Sequence, residues 1–270
     1  MHKIEFLLLI IPVLIVFPYL ILYRFQGKKD VLHLDLVQFL YNFVFTPLAF
    51  IWLKTIFYTL LSSNPAHELS SNQLFLADSL FSLVMFYLYA FFTMHSLTKT
   101  FHLKNFDPLY NLFYHSEYIH LWLSHIVMFL GPMLLITVLA ITNLFFPLVF
   151  NFSQSGFYLT LFLALILGIA TYFVLLISEP LQQKRLTLSR LIKLGIGIFF
   201  SAHLVAYLLA EPIIGTSYLF YWCSLMFFAG AFITSVLDYR SKKTKVFFQS
   251  IISKIKHRNW GNNIQLFADK

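Results

Sequence analysis

The chain has little cysteine and little charge. Among its 270 residues only Cys223 is a cysteine, which excludes a disulfide within the chain and any metal site built on a cysteine pair. Asp, Glu, Lys and Arg make up 11% of the residues, whereas soluble domains average about 25%. With 59% hydrophobic residues and a mean hydropathy of +0.77, the chain has more apolar surface than one soluble core can bury. These values predict an integral membrane protein.

The sequence patterns of common soluble enzymes are also missing. The chain has no HExxH, GxSxG, Walker or DxxxD-type pattern, and it lacks the HxxxH and HxxHH boxes that membrane di-iron hydroxylases need. The net charge of +8 does not indicate nucleic-acid binding, because the basic residues lie in short loops beside apolar runs. We therefore expect a non-enzymatic protein whose surroundings are a lipid bilayer and which has no nucleic-acid partner.

Seven apolar runs are long enough to cross a bilayer, which takes about 20 helical residues. They cover residues 4–24, 36–61, 73–97, 122–149, 157–178, 191–210 and 213–237. The first run is too long for the hydrophobic region of a signal peptide, and Arg24, Lys28 and Lys29 follow it, so we expect it to be retained as a span. The predicted fold is all-α: a polytopic membrane domain of seven transmembrane helices over residues 1–238.

Lys and Arg are unevenly distributed among the loops, which predicts the orientation. Seventeen of the 19 lie in the first, third and fifth loops or in the tail, while the second, fourth and sixth loops have none. The positive-inside rule then places the N-terminus outside and the C-terminus in the cytoplasm of a cell (inner) membrane. Residues 239–270 form a basic tail, in which residues 246–258 have the amphipathic pattern of a helix lying on the inner leaflet.

Polar residues inside or at the edges of the apolar runs are the first group of candidate functional residues. They are Lys54, Asp78, Ser82, Asn143, His203 and Glu211. Lys54 and Asp78 lie at similar depth in two helices that a short loop joins, so we predict that they form an ion pair. His203 is expected near mid-membrane, where a histidine can ligate haem, relay protons or hydrogen-bond another helix.

A second group of candidates lies at the cytoplasmic ends of the third and fourth runs. It consists of His95, His102, His115, Glu117, His120 and His125. His115, His120 and His125 are spaced by five, so on a helix each points about 140° from the last and the three cannot converge on one ion. Glu117 and His120 have the spacing of half a di-iron site, but no second copy exists. We interpret this group as an interfacial belt and predict no cofactor, with copper or haem as the alternative.

The outer loops carry a pattern found in one known family. Ser63-Asn64-Pro65 leads into Leu74–Asp78, with Ser82 four residues on, and Asn143–Pro147 precedes the fourth outer loop. A basic fifth loop ends at Arg190. With seven spans and an outer N-terminus, the chain resembles the CtaG family of cytochrome c oxidase assembly factors.

The resemblance implies a scaffold that lacks the family's histidines. In that family, histidines of the kind thought to handle copper stand in the segments occupied here by five other residues: Asp78, Ser82, Asn143, Tyr158 and Phe162. The resemblance therefore implies a non-enzymatic factor that acts on a terminal oxidase or a similar membrane complex without binding metal.

Two other functions remain open from the residues. A small transporter or channel would have a polar path along Lys54, Asp78, Glu211 and His203. The other is a haem- or quinone-linked redox protein, which would use one or more of the histidines His95, His125 and His203.

Overall fold

A computed structural model of the chain describes residues 3–22, 25, 28–31, 34–62, 69–104, 123–148, 153–178 and 188–240. Within these ranges lie seven long helices: α1 (Lys3–Leu22), α2 (Leu36–Ser62), α3 (Ser71–Lys104), α4 (His125–Phe145), α5 (Gln154–Ser178), α6 (Leu188–Ala210) and α7 (Leu219–Arg240). Two short strands, β1 (Asp30–Val31) and β2 (Leu34–Asp35), pair antiparallel before α2. The helices follow the seven predicted runs, which confirms the all-α class; the strand pair was not predicted.

Six of these helices, α2 to α7, are long and apolar enough to cross a membrane. In α1 the described apolar stretch is shorter, Ile10–Tyr19. A multi-pass membrane protein is therefore the class that the helices indicate, whereas the seventh span and the orientation stay predictions. The predicted amphipathic tail segment lies outside the described residues.

The start of α2 shows how local sequence sets a helix. The Asp35 carboxylate accepts hydrogen bonds from the backbone N–H groups of Val37 and Gln38, which caps the first turn. The residues Tyr41–Phe45 form a π-helical turn that ends two residues before Pro47, whose ring nitrogen cannot donate a hydrogen bond. The Tyr41 carbonyl accepts from the Thr46 backbone N–H and also from the Thr46 hydroxyl, the latter at 2.7 Å.

The seven helices form a ring in which each helix contacts both of its neighbours. Around the ring the order is α1, α2, α3, α4, α6, α7 and α5, and α5 returns to α1. Across the ring, α4 also contacts α2 and α7. One apolar core fills the space between α2, α3 and α4, and a second lies between α4, α5, α6 and α7.

The closest helix pair is α5 with α7, and two glycines allow it. A Cβ atom built on Gly168 would lie 1.9 Å from the Phe227 carbonyl oxygen, and one on Gly230 would lie 2.4 Å from that of Leu165. Neither position has room for a methyl group. Small residues let membrane helices pack backbone to backbone, so these glycines set the distance between α5 and α7.

Candidate functional site

Lys54, Asp78 and Ser82 form one polar cluster between α2 and α3. The Lys54 Nζ lies 3.1 Å from Asp78 Oδ2 and donates to the Ser82 Oγ at 2.9 Å. Asp78 and Ser82 are four residues apart and therefore share a face of α3, which turns both toward the lysine. The predicted Lys54–Asp78 contact is confirmed, and Ser82 joins it.

This cluster lies on the lateral surface of the bundle rather than in its centre. The Lys54 side chain is 49% exposed and that of Asp78 is 29% exposed. Lys54 is eight residues from the end of α2 and Asp78 is seven from the start of α3, so both lie roughly 10–12 Å from the helix ends. Tyr58 and Ser79 beside them are also exposed. We call Lys54, Tyr58, Asp78, Ser79 and Ser82 the α2/α3 face.

Asn143 holds the end of α4 against the start of α7. Its fully buried amide accepts a bond from the Tyr221 N–H at 3.1 Å and donates to the carbonyls of Ser217 and Phe146. The Tyr221 N–H belongs to the first turn of α7, where backbone donors lack partners within the helix. Asn143 therefore acts as a capping residue supplied by another helix, and its amide is occupied.

His203 is buried between α6 and α7 with both ring nitrogens engaged. Nδ1 lies 2.8 Å from the Phe199 carbonyl oxygen, which can only accept, so Nδ1 carries the proton. Nε2 lies 2.8 Å from the Ser224 Oγ and accepts a hydrogen bond from that hydroxyl when the ring is neutral. The Tyr221 hydroxyl donates to the His203 carbonyl at 2.7 Å. This arrangement links two helices, and a metal at Nε2 would have to displace Ser224.

Glu211 ends α6 in a backbone conformation that L-residues rarely adopt. Its φ is +43°, and its N–H donates to the Tyr207 carbonyl at 2.8 Å. This is the left-handed position at which many helices end, usually with glycine. The Glu211 side chain is exposed beyond the helix end, so the structure does not bring it to His203 or to the α2/α3 face.

His95 and His125 meet between α3 and α4. Their ring centroids are 4.7 Å apart in an edge-to-face arrangement, and His95 Nδ1 lies 3.3 Å from the Ser124 Oγ. Both side chains are buried in the packed pair of helices. The interpretation of this group as an interfacial belt concerns depth in the membrane and stays a prediction. The other four are not placed: the His102 side chain and residues His115, Glu117 and His120 lie outside what the structure describes.

A third polar cluster was not predicted from the sequence. Asp238 of α7 accepts a hydrogen bond from the Tyr172 hydroxyl of α5 at 2.8 Å and pairs with Lys193 of α6 at 2.5 Å. The Lys193 Nζ also lies 5.8 Å from the centroid of the Tyr172 ring. One carboxylate thus joins three helices. The sequence signal that could have found this cluster is a lone Asp at the end of the last apolar run.

A cavity of about 360 Å³ lies inside the ring of helices and is lined almost entirely by carbon. Residues of α1, α2, α4, α5 and α7 form its walls, and α3 contributes Phe92. On α5 the lining runs from Thr160 to Val174, which spans roughly 21 Å of helix. The cavity is therefore elongated along the helix axes. Sequence reasoning had no signal for it, because its lining looks like ordinary apolar helix.

The five positions at which the resemblance to the CtaG family places that family's histidines do not gather into one site. Asp78 and Ser82 belong to the α2/α3 face and Asn143 to the α4–α7 junction, whereas Tyr158 and Phe162 are exposed on α5. Within the described ranges, no group of three His, Cys, Asp or Glu side chains could hold a metal ion. No protein-family model matches the chain, and neither a curated protein nor a solved structure shows significant similarity to it.

Proposed function

We propose that the protein is a non-enzymatic membrane factor that binds another membrane protein through its α2/α3 face. The role that the resemblance to the CtaG family implies is assembly of a terminal oxidase or a similar complex. The observation that supports this proposal is the position of the Lys54–Asp78 pair, which is charged, partly exposed and well inside two apolar helices.

An ion pair at that position is poorly matched to lipid. Ionisable residues within spans nearly always face the bundle interior or a water-filled cavity, because one charge near mid-bilayer costs at least about 2.5–3.5 kcal/mol. The Lys54 ammonium has three N–H groups, of which two point to Asp78 and Ser82. A transmembrane helix with a hydroxyl, amide or carbonyl acceptor would cover the pair and take the third N–H. The exposed Tyr58 and Ser79 would lie in the same contact.

The other two functions have less support in the geometry. A polar path would need Lys54, Asp78, His203 and Glu211 in one place, but they lie on the α2/α3 face, between α6 and α7, and beyond the end of α6. Haem ligation by His203 would break its bond to Ser224. Our proposal includes the expectation of no stoichiometric copper, zinc or haem, which elemental analysis and an absorption spectrum measure.

Co-purification from native membranes tests the proposal. The double variant Lys54→Met with Asp78→Leu removes the whole pair, so no charge is left alone. We expect wild type to retain oxidase subunits, or subunits of another membrane complex, and the double variant to lose them while still folding. Leu208→Ala with Leu209→Ala is the matched control, since both side chains are exposed on α6. Equal recovery of the same subunits with all three proteins, or no membrane protein recovered with wild type, would contradict the proposal.

A further inference from the structure

The central cavity offers almost nothing to a polar occupant. Thr59, Thr160 and Thr171 line it, but each hydroxyl donates to a backbone carbonyl one turn earlier in its own helix. Ser224 also lines it, and its oxygen is engaged by His203. A buried water needs two to four polar partners, and apolar cavities without them stay dry and take up apolar molecules. The chemistry of the lining therefore selects against water, ions and polar solutes.

We infer that this cavity binds one hydrocarbon chain of a membrane amphiphile, either a lipid acyl chain or an isoprenoid chain. Its volume lies within the roughly 300–1,000 Å³ range of pockets that hold small-molecule ligands. Its lining extends roughly 21 Å along α5, compared with a hydrocarbon depth of about 15 Å for one leaflet. A long, narrow, carbon-lined space fits an extended chain.

The walls of the cavity explain why the helices leave this space. Gly168 and Gly230 bring α5 and α7 together as one closely packed wall. Pro12 and Pro132 line other walls of the cavity. Pro12 lies within α1 and Pro132 within α4. A proline inside a helix removes one backbone hydrogen bond and bends the helix, which keeps α1 and α4 from packing straight along their neighbours. Among the described residues the cavity is not fully enclosed, which leaves a way in for a hydrocarbon chain.

Photo-crosslinking in nanodiscs tests the inference with the full chain. One arm contains a phospholipid with a diazirine on its acyl chain, and the other contains a polyprenyl alcohol with a diazirine on its chain. After irradiation, adducts are mapped by mass spectrometry. We expect adducts on cavity residues such as Leu167 and Cys223 that saturate as the probe fraction rises. Adducts on the exposed Leu209 should instead rise in proportion to the probe. The arm that saturates identifies the source of the chain.

A cavity-filling substitution supplies the second readout. Ala164 lines the cavity, and Ala164→Phe should reduce the Leu167 and Cys223 adducts about tenfold, because overpacking excludes the chain. Ala90→Phe, at an exposed position of α3, should leave them unchanged. Saturation in wild type decides the question if Ala164→Phe does not fold. Adducts confined to outward-facing residues in both arms, or cavity adducts that never saturate, would overturn the inference.

Discussion

The Lys54 Nζ lies 3.1 Å from the Asp78 Oδ2, although the two residues belong to different helices. Each is roughly 10–12 Å from the helix ends that the connecting segment joins. Ser82, one turn further along α3, accepts from the same ammonium group. The contact therefore fixes the register of α2 against α3 and leaves a charged, partly exposed face inside two apolar helices.

The ion pair predicts non-additive effects of mutation. Lys54→Met and Asp78→Leu should each reduce the yield of folded protein, because each leaves a charge without its partner in the membrane, at a cost of about 2.5–3.5 kcal/mol. The double variant should recover part of that loss. Size-exclusion chromatography of detergent-solubilised protein measures the folded yield. Losses that simply add in the double variant would show that the contact carries no coupling energy.

Two glycines should respond differently to the same substitution. Gly168→Ala should lower the free energy of unfolding by about 1–3 kcal/mol, because the new methyl group would overlap the Phe227 carbonyl of α7. Gly197→Ala is the control: its nearest neighbour is the Phe232 Cε2 at 3.7 Å, an ordinary contact. Alanine favours helix there by about 1 kcal/mol, so a neutral or slightly stabilising change is expected. Equal effects of both substitutions in a thermal melt would count against the close α5–α7 packing.

The Asn143 amide should stabilise the protein by holding α7 against α4. Asn143→Leu would leave the buried Tyr221 N–H without this partner, which costs about 1–3 kcal/mol, whereas the Ser217 carbonyl would still accept from the Leu148 N–H. Thr142→Val is the neighbouring control, since that hydroxyl donates to the Val138 carbonyl of its own helix. We expect a lower melting temperature for Asn143→Leu and little change for Thr142→Val. Indistinguishable melting curves would show that Asn143 does not hold α7.

The orientation of the chain is tested by accessibility from outside the cell. In a Cys223→Ser background, single cysteines at Ser71 and Ser253 report on the second outer loop and on the tail. The 17 basic residues in the first, third and fifth loops and the tail predict that an impermeant thiol reagent labels position 71 and not position 253 in intact cells. The reverse labelling pattern would invert the topology.

The Lys54–Asp78 pair could be predicted from sequence because its geometry is local. A short connection makes α2 and α3 antiparallel neighbours, and counting residues from the connection gives the depth of each charge. The positions of the helices were predictable for a similar reason, since each apolar run has about the length that a bilayer requires.

The rest depends on which distant helices become neighbours, and no local pattern encodes that. Asp238 contacts Tyr172 and Lys193 only because α5, α6 and α7 pack side by side. His95 meets His125 across two helices that a 20-residue segment, 105–124, separates in sequence. The cavity has the same cause, because its walls come from six helices.

In-cell photo-crosslinking from the α2/α3 face tests the central claim most directly. A photoreactive amino acid replaces Tyr58, which is exposed one turn from Lys54, and a second variant carries it at Leu208 on α6 as the control. We predict that irradiated native membranes give a discrete crosslink between position 58 and another membrane protein, that this crosslink disappears in the Lys54→Met, Asp78→Leu background, and that position 208 gives none. Crosslinks to lipid alone at position 58, or the same protein crosslinked at both positions, would contradict the account.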